Sequence, residues 1–320
     1  MRYFAGNSLA AFFRSAVTIS ESTTAGRFDS AFVSNSILIP SGNEYIQKTN
    51  TTVSGTNWFR FDVYVEAVTA TSSPSLLMLL NGTTNVFRFI QTSASVLLYQ
   101  SQFWNGSTWT NTGGTFSFSG GARTTVTVKI IPNNSFEVYL NGVIVTNGSG
   151  WSGGSTSFDT IRLYNASNTL NTFYSQIMWA DYDLRDSHLK TTALDGNSAA
   201  NTGGASGVFG DINETVLDEG TAVVVSTTTN KAGFSMAALT VPVGYIIAGL
   251  VVSARGRVGG SITDGKLGVR GSSGTNSSGS GLTFNGGYEP RCRILETDPD
   301  TAAKFTQAGY NAAEVYLEAV

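Results

Sequence analysis

Alternation with a period of two residues runs through the first half of this chain, and no other feature limits its fold so sharply. In the stretch Trp58–Val68, residues Phe59, Phe61, Val63, Val65 and Ala67 share one face, while Arg60, Asp62, Tyr64 and Glu66 share the other. Successive side chains of a strand point to opposite sides, so this is the pattern of a half-buried strand. Similar strands are expected at Leu76–Leu80, Val86–Ile90, Val96–Phe103, Thr124–Ile131, Phe136–Leu140, Val143–Thr146, Thr160–Tyr164 and Phe173–Ala180. Turn residues separate them, notably Pro132-Asn133-Asn134 and Asn141-Gly142. Both central residues of a type I′ turn need positive φ, which Asn-Gly tolerates best, so FEVYLNGVIV reads as a tight hairpin. Strands at this regular spacing argue for a sandwich of two sheets rather than a βαβ fold.

Composition agrees. Charged residues make up 13% of the 320 and Gly contributes 36, where a typical soluble protein is roughly 25% charged. The chain is 41% hydrophobic, with aromatic and β-branched residues throughout, which excludes disorder and collagen. A net charge of −3 exerts no general pull on phosphate backbones or anionic membranes, so neither nucleic acid nor membrane insertion is expected. The opening Met1–Gly6 lacks the long apolar stretch of a secretory signal, and Cys292 is the only cysteine, so the chain reads as made in a reducing cytoplasm.

The aromatic residues divide the chain. All five Trp precede residue 187, and the acidic excess lies beyond it. The TTALDGNSAANTGGAS stretch that follows has small polar residues and no periodicity, as a linker would. The expectation is an all-β chain of two β-sandwich (jelly-roll) domains, 1–188 and 189–320. Strands of the second are expected at Ala222–Ser226, Gly233–Ala238, Tyr245–Val252, Lys266–Arg270, Gly281–Phe284, Arg291–Leu295 and Glu314–Ala319. A short helix is expected just after Asp298-Pro299, with Asp298 as its cap.

Reactive chemistry is scarce. His188, the only histidine, lies at the expected linker, where nothing holds an imidazole rigidly, and a histidine or cysteine zinc site is excluded by count. Cys292, between two arginines, reads as a small core residue. Asp181 and Asp183 would share a strand face, whereas a glycosidase needs its acids opposed across a cleft. The acidic stretch Asp211–Glu219 has Val216 where an EF-hand requires Gly and Ala222 where it requires Glu, so it reads as a solvated loop. Arg255 and Arg257 would alternate on one strand face, as an exposed or ion-paired set. No catalytic residue, metal site or cofactor is therefore expected. Carbohydrate is the ligand left standing, since Trp104, Asn105 and Trp109 surround a turn rich in amides and hydroxyls. An aromatic face beside hydrogen-bonding groups suits a sugar ring, while the plainer reading places one or both indoles in the core.

Phe136–Gly142 followed by Asp159–Tyr164, with Tyr174–Arg185 as a last strand, resembles the concanavalin-like (laminin-G-like) lectin sandwich. The passage from that strand into a second module, together with AGRFDSAFV (25–33), Ile246–Arg255 and the closing Asp298-Pro299, Phe305-Thr306 and Glu314-Val315, resembles tailed-bacteriophage virion structural proteins. Comparable second modules carry Trp where this chain has Phe209 and Phe305. The resemblance implies a non-enzymatic component of a phage particle (tail, fibre or capsid decoration). Its implied partners are other virion proteins and identical copies, a trimer being one such assembly. The alternative is an adhesin that binds a host surface glycan through Trp104 and Trp109. In either case the address is the virion, after synthesis in the host cytoplasm.

Overall fold

The computed structural model describes residues 2–67, 74–93, 96–167, 169–202, 205–206, 222–259 and 262–320. The acidic stretch 211–219 and Phe209 lie outside them. The chain divides into two compact units, residues 1–190 and 191–320.

Unit 1 is built almost wholly of strands. They are β1 (Arg2–Gly6), β2 (Phe13–Arg14), β3 (Ser20–Ser22), β4 (Ser36–Ile39), β5 (Tyr45–Val53), β6 (Asn57–Val65), β7 (Ser75–Asn81) and β8 (Thr84–Gln91). There follow β9 (Leu97–Trp104), β10 (Trp109–Phe118), β11 (Arg123–Ile131), β12 (Ser135–Leu140), β13 (Val143–Ser149), β14 (Phe158–Tyr164) and β15 (Thr172–Ala180). Among the described residues, one antiparallel sheet runs β13-β12-β11-β6-β15-β4-β3, with β1 also on β15, and the other runs β10-β9-β8-β7-β14-β5-β2. Aromatic pairs join them face to face, as in Phe87 with Phe136 at 5.2 Å and Phe59 with Phe158 at 5.6 Å. Phe59, Phe61, Val63, Phe87, Phe89, Val126 and Val128 are fully buried between the sheets. Each such side chain stabilises the fold by about 1.5–3 kcal/mol. This is the expected sandwich of two antiparallel sheets.

The strands expected from Leu76 to Ala180 are present, and Asn141 and Gly142 both have positive φ (48° and 84°), as a type I′ turn demands. Strands β1–β5 and β10 add to the expected set; β5 and β10 escape it because YIQKTNTTV and WTNTGGTFSF bury too few residues to alternate visibly. Strand β6 also differs from expectation. Its second face is covered as well, with Arg60 at 5% and Asp62 at 1% exposure. The covering comes from residues 181–190, which pack back on the sheet: Leu184 joins Trp58, Tyr139 and Met178 in a separate apolar cluster, and its carbonyl accepts from the Arg60 guanidinium. What composition marks as the start of a linker is thus a packed part of unit 1.

Unit 2 contains β16 (Leu194–Asn197), β17 (Ala205–Ser206), β18 (Val224–Val225), β19 (Lys231–Met236), β20 (Leu250–Gly256) and β21 (Asp264–Arg270). Beyond these lie β22 (Asn276–Ser278), β23 (Leu282–Thr283), β24 (Glu289–Leu295), the helix α1 (Gln307–Asn311) and β25 (Glu314–Ala319). The main sheet runs β16-β19-β25-β21-β22 with β23 on β21, and β20 pairs with β24 separately. Phe234, Val252, Leu267, Leu295, Phe305 and Val315 share one core, so Phe305 fills the interior. Two expectations move. Residues 245–249 are not strand, because Gly244 (φ 89°) turns the chain and Tyr245 N–H bonds back to Pro242. The helix starts later than expected. Asp298 caps only a turn, which Ala302 ends in the left-handed region (φ 56°), and Thr306 caps the helix instead by accepting from Gly309 N–H at 2.9 Å.

Candidate functional site

Strands β9 and β10 form a hairpin in which Trp104 and Trp109 are directly opposed. Alternation fixes which way they point. Phe103 stacks on buried Trp151 in the core, so its neighbour Trp104 projects from the outer face of the sheet. The two indoles meet edge to face at 5.4 Å, and both are half-buried. Neither is buried as Trp58, Trp151 and Trp179 are.

Asn105 belongs to the same place but works inward on its own turn. Its Oδ1 accepts from the N–H groups of Ser107 (3.0 Å) and Thr108 (2.9 Å), while its Nδ2 donates to the hydroxyls of Thr108 and Thr110. Gly154 then packs so closely that a Cβ would collide with the Trp104 carbonyl. The hairpin tip is held from both sides.

Sequence reasoning missed the rest of this face, which follows from strand register. Asn111, Gln102, Arg88, Met78, Arg162, Gln47 and Phe13 are consecutive cross-strand partners from β10 to β2, one rung across the whole sheet. Arg88 lies over the Trp109 ring at 4.2 Å, and its Nε donates to Gln102 Oε1 at 2.7 Å. Gln102 in turn donates to Asn111 at 2.8 Å. Arg162 repeats the arrangement, over the Tyr45 ring at 4.5 Å with Nε donating to Gln47 Oε1 at 2.7 Å. Tyr45 is paired with Tyr164 at 5.1 Å, as Trp109 is with Trp104. Burial holds the Arg88 guanidinium below its usual pKa, yet an arginine so placed stays charged at any physiological pH.

The other candidates are not brought together. Strand β15 ends at Ala180, so Asp181 and Asp183 do not share a strand face. Burial works to raise the Asp183 carboxyl, but hydrogen bonds from Arg185 hold it low overall. Arg257 falls beyond β20 and stacks on Tyr288 at 4.9 Å, so it does not alternate with Arg255 on a strand. Cys292 is half-buried in β24 rather than a core residue. His188 is better supported than a linker allows. It stacks on Phe32 at 3.9 Å, and its Nδ1 lies 3.2 Å from Gln176 Oε1. Gln176, in a left-handed bulge of β15 (φ 49°), donates to buried Asp62 at 3.0 Å.

No family model and no curated protein sequence matches the chain. Solved structures of similar shape exist. A cellulose-induced protein, Cip1, is 16% identical with a TM-score of 0.43, covering 55% of this chain and 94% of its own. The globular domain of T. cruzi calreticulin is 12% identical with a TM-score of 0.44, covering 57% and 89%. The carbohydrate-binding module CBM66 from Bacillus subtilis is 8% identical with a TM-score of 0.36, covering 55% and 97%. Likeness at this level carries nothing about a ligand for this chain.

Proposed function

We propose that the chain is a non-enzymatic glycan-recognition protein, with unit 1 as the reader and unit 2 as the module that attaches it to a larger assembly. One observation carries this: Trp104 and Trp109 stand paired on the outer face of the sheet although a core lay one residue away in register. Indole faces suit the apolar faces of sugar rings, and the Gln102 and Asn111 amides beside them suit ring hydroxyls. A glycan array of the full chain tests it. The wild type should retain a defined set of glycans, and Trp104→Ala/Trp109→Ala should weaken them at least about tenfold, roughly 1.4 kcal/mol. Retention of no glycan by the wild type overturns the reading.

A second reading, the structural component of a bacteriophage particle, has its own support. Strand β13 ends the larger sheet of unit 1, and Val143, Ile144 and Val145 on it are 66%, 48% and 41% exposed. Residues 146–148 of this strand lie against β10, but the apolar side chains at 143–145 are exposed, and an exposed apolar stretch at a sheet's end is a pairing surface for identical copies. Residence in the virion and a partner among particle proteins belong to this reading. Fixed-ratio incorporation into particles, with an oligomer in sedimentation that Val143→Lys/Val145→Lys disperses, supports it. A monomer absent from particles removes it.

A further inference from the structure

We infer that the glycan read by this face is acidic, a saccharide bearing carboxylates that the guanidinium groups of Arg88 and Arg162 receive; this rests on the glycan-binding reading and deepens it. The chain as a whole is acidic, with 19 basic residues against 22 acidic. The described strands of the sheet that carries the rung contain four basic residues, Arg14, Lys48, Arg88 and Arg162, and one acid, Asp159; Arg14 and Lys48 stand opposite the buried Ile46 and Ile161, which leaves Arg88 and Arg162 as the cations of the rung's face. Asp159 is already engaged, accepting from Gly82 N–H at 3.0 Å and from the Thr160 hydroxyl at 2.7 Å.

Among the described residues no carboxylate comes within ion-pair distance of Arg88 or Arg162; their partners are neutral, a glutamine amide and an aromatic ring each. Two half-buried cations on one face without a counter-ion are costly to hold unless something anionic completes them. Each is also prepared for that task. The glutamine takes Nε and the ring fixes the guanidinium plane, which leaves the Nη pair as a fork that matches a carboxylate. Met78 separates the two arginines in the rung, so they stand two strands apart, roughly 10 Å. That span suits successive residues of a polymer better than one ring. The aromatic pair beside each guanidinium offers a stacking face to the same sugar whose carboxylate the fork holds.

Affinity electrophoresis of the full chain through polyuronate, compared with the same polymer after carboxyl reduction, tests this without any variant. The expected result is retardation by the polyuronate at least tenfold stronger than by its reduced counterpart. Arg88→Gln/Arg162→Gln should abolish that preference. Equal retardation by both polymers overturns the inference and leaves the glycan reading standing. No retardation there and an empty glycan array remove both. Retardation by dextran sulfate or by single-stranded DNA as strong as by polyuronate also overturns it, since the face would then answer to charge alone.

Discussion

At the scale of single residues, His188 carries a sensitivity to acid. It is held between Phe32 and Gln176, and burial, with Arg60 adding to it, makes its imidazole bind a proton less readily than a free one, while Asp29 and Asp186 pull the other way. The unfolded chain takes up that proton near the ordinary value of 6.5. Below that pH the unfolded state therefore binds more protons than the folded one, and stability falls as pH drops toward the lower folded value. The stabilising contribution is fully present only above the unfolded pKa. Asp62 acts with the opposite sign. Burial raises its carboxyl against the pull of Thr125 and Arg123, so its contribution is present below the ordinary carboxylate range and is lost as pH rises through the raised value. His188→Phe separates the two: it keeps a ring against Phe32 and removes the titration. The thermal midpoint of the variant, measured between pH 7.5 and 5.5, should decline less than that of the wild type. An identical decline would show that other groups set the acid sensitivity.

Among the elements, close approach matters as much as alternation. Gly268 on β21 faces Tyr316 on β25, and an added Cβ would fall inside the Tyr316 ring. That ring has nowhere to go, being 1% exposed with its hydroxyl 2.8 Å from Ser278 Oγ. Gly268→Ala should therefore destabilise unit 2 by about 1–3 kcal/mol, read as a lower denaturant midpoint by tyrosine fluorescence. The same contrast explains what the sequence made legible. FRFDVYV and Asn141-Gly142 announce strands and a hairpin because each signal is local. The indoles of Trp104 and Trp109 were visible for the same reason, being five residues apart across a polar turn. Arg88 and Arg162 gave no such sign. Their neighbourhood exists only through the register of β8 on β7 and β7 on β14, and Met78 and Arg162, paired across 84 residues of chain, carry no mark of it. The displaced helix failed differently, since Asp298-Pro299 and Thr306 are both competent caps and the left-handed Ala302 decides between them.

For the whole molecule, each unit has its own apolar core, which is the condition for folding alone. Residues 1–190 expressed separately should melt in one cooperative transition with a midpoint within a few degrees of that of unit 1 in the full chain. A calorimetric scan in which the fragment shows no transition would contradict this. The fragment should end at 190 and no earlier, because the Lys190 ammonium donates to the Ala31 carbonyl at 2.7 Å and Leu184 is buried. The rung that crosses unit 1 has one more consequence. Three antiparallel steps separate β9 from β14, so the indoles flank the rung on one side and the tyrosines on the other. A long molecule touching both pairs must cross the sheet on a slant, and the mirror-image slant meets neither. The face would therefore sort ligand chains by the direction in which they lie, much as a screw thread accepts one sense of turning.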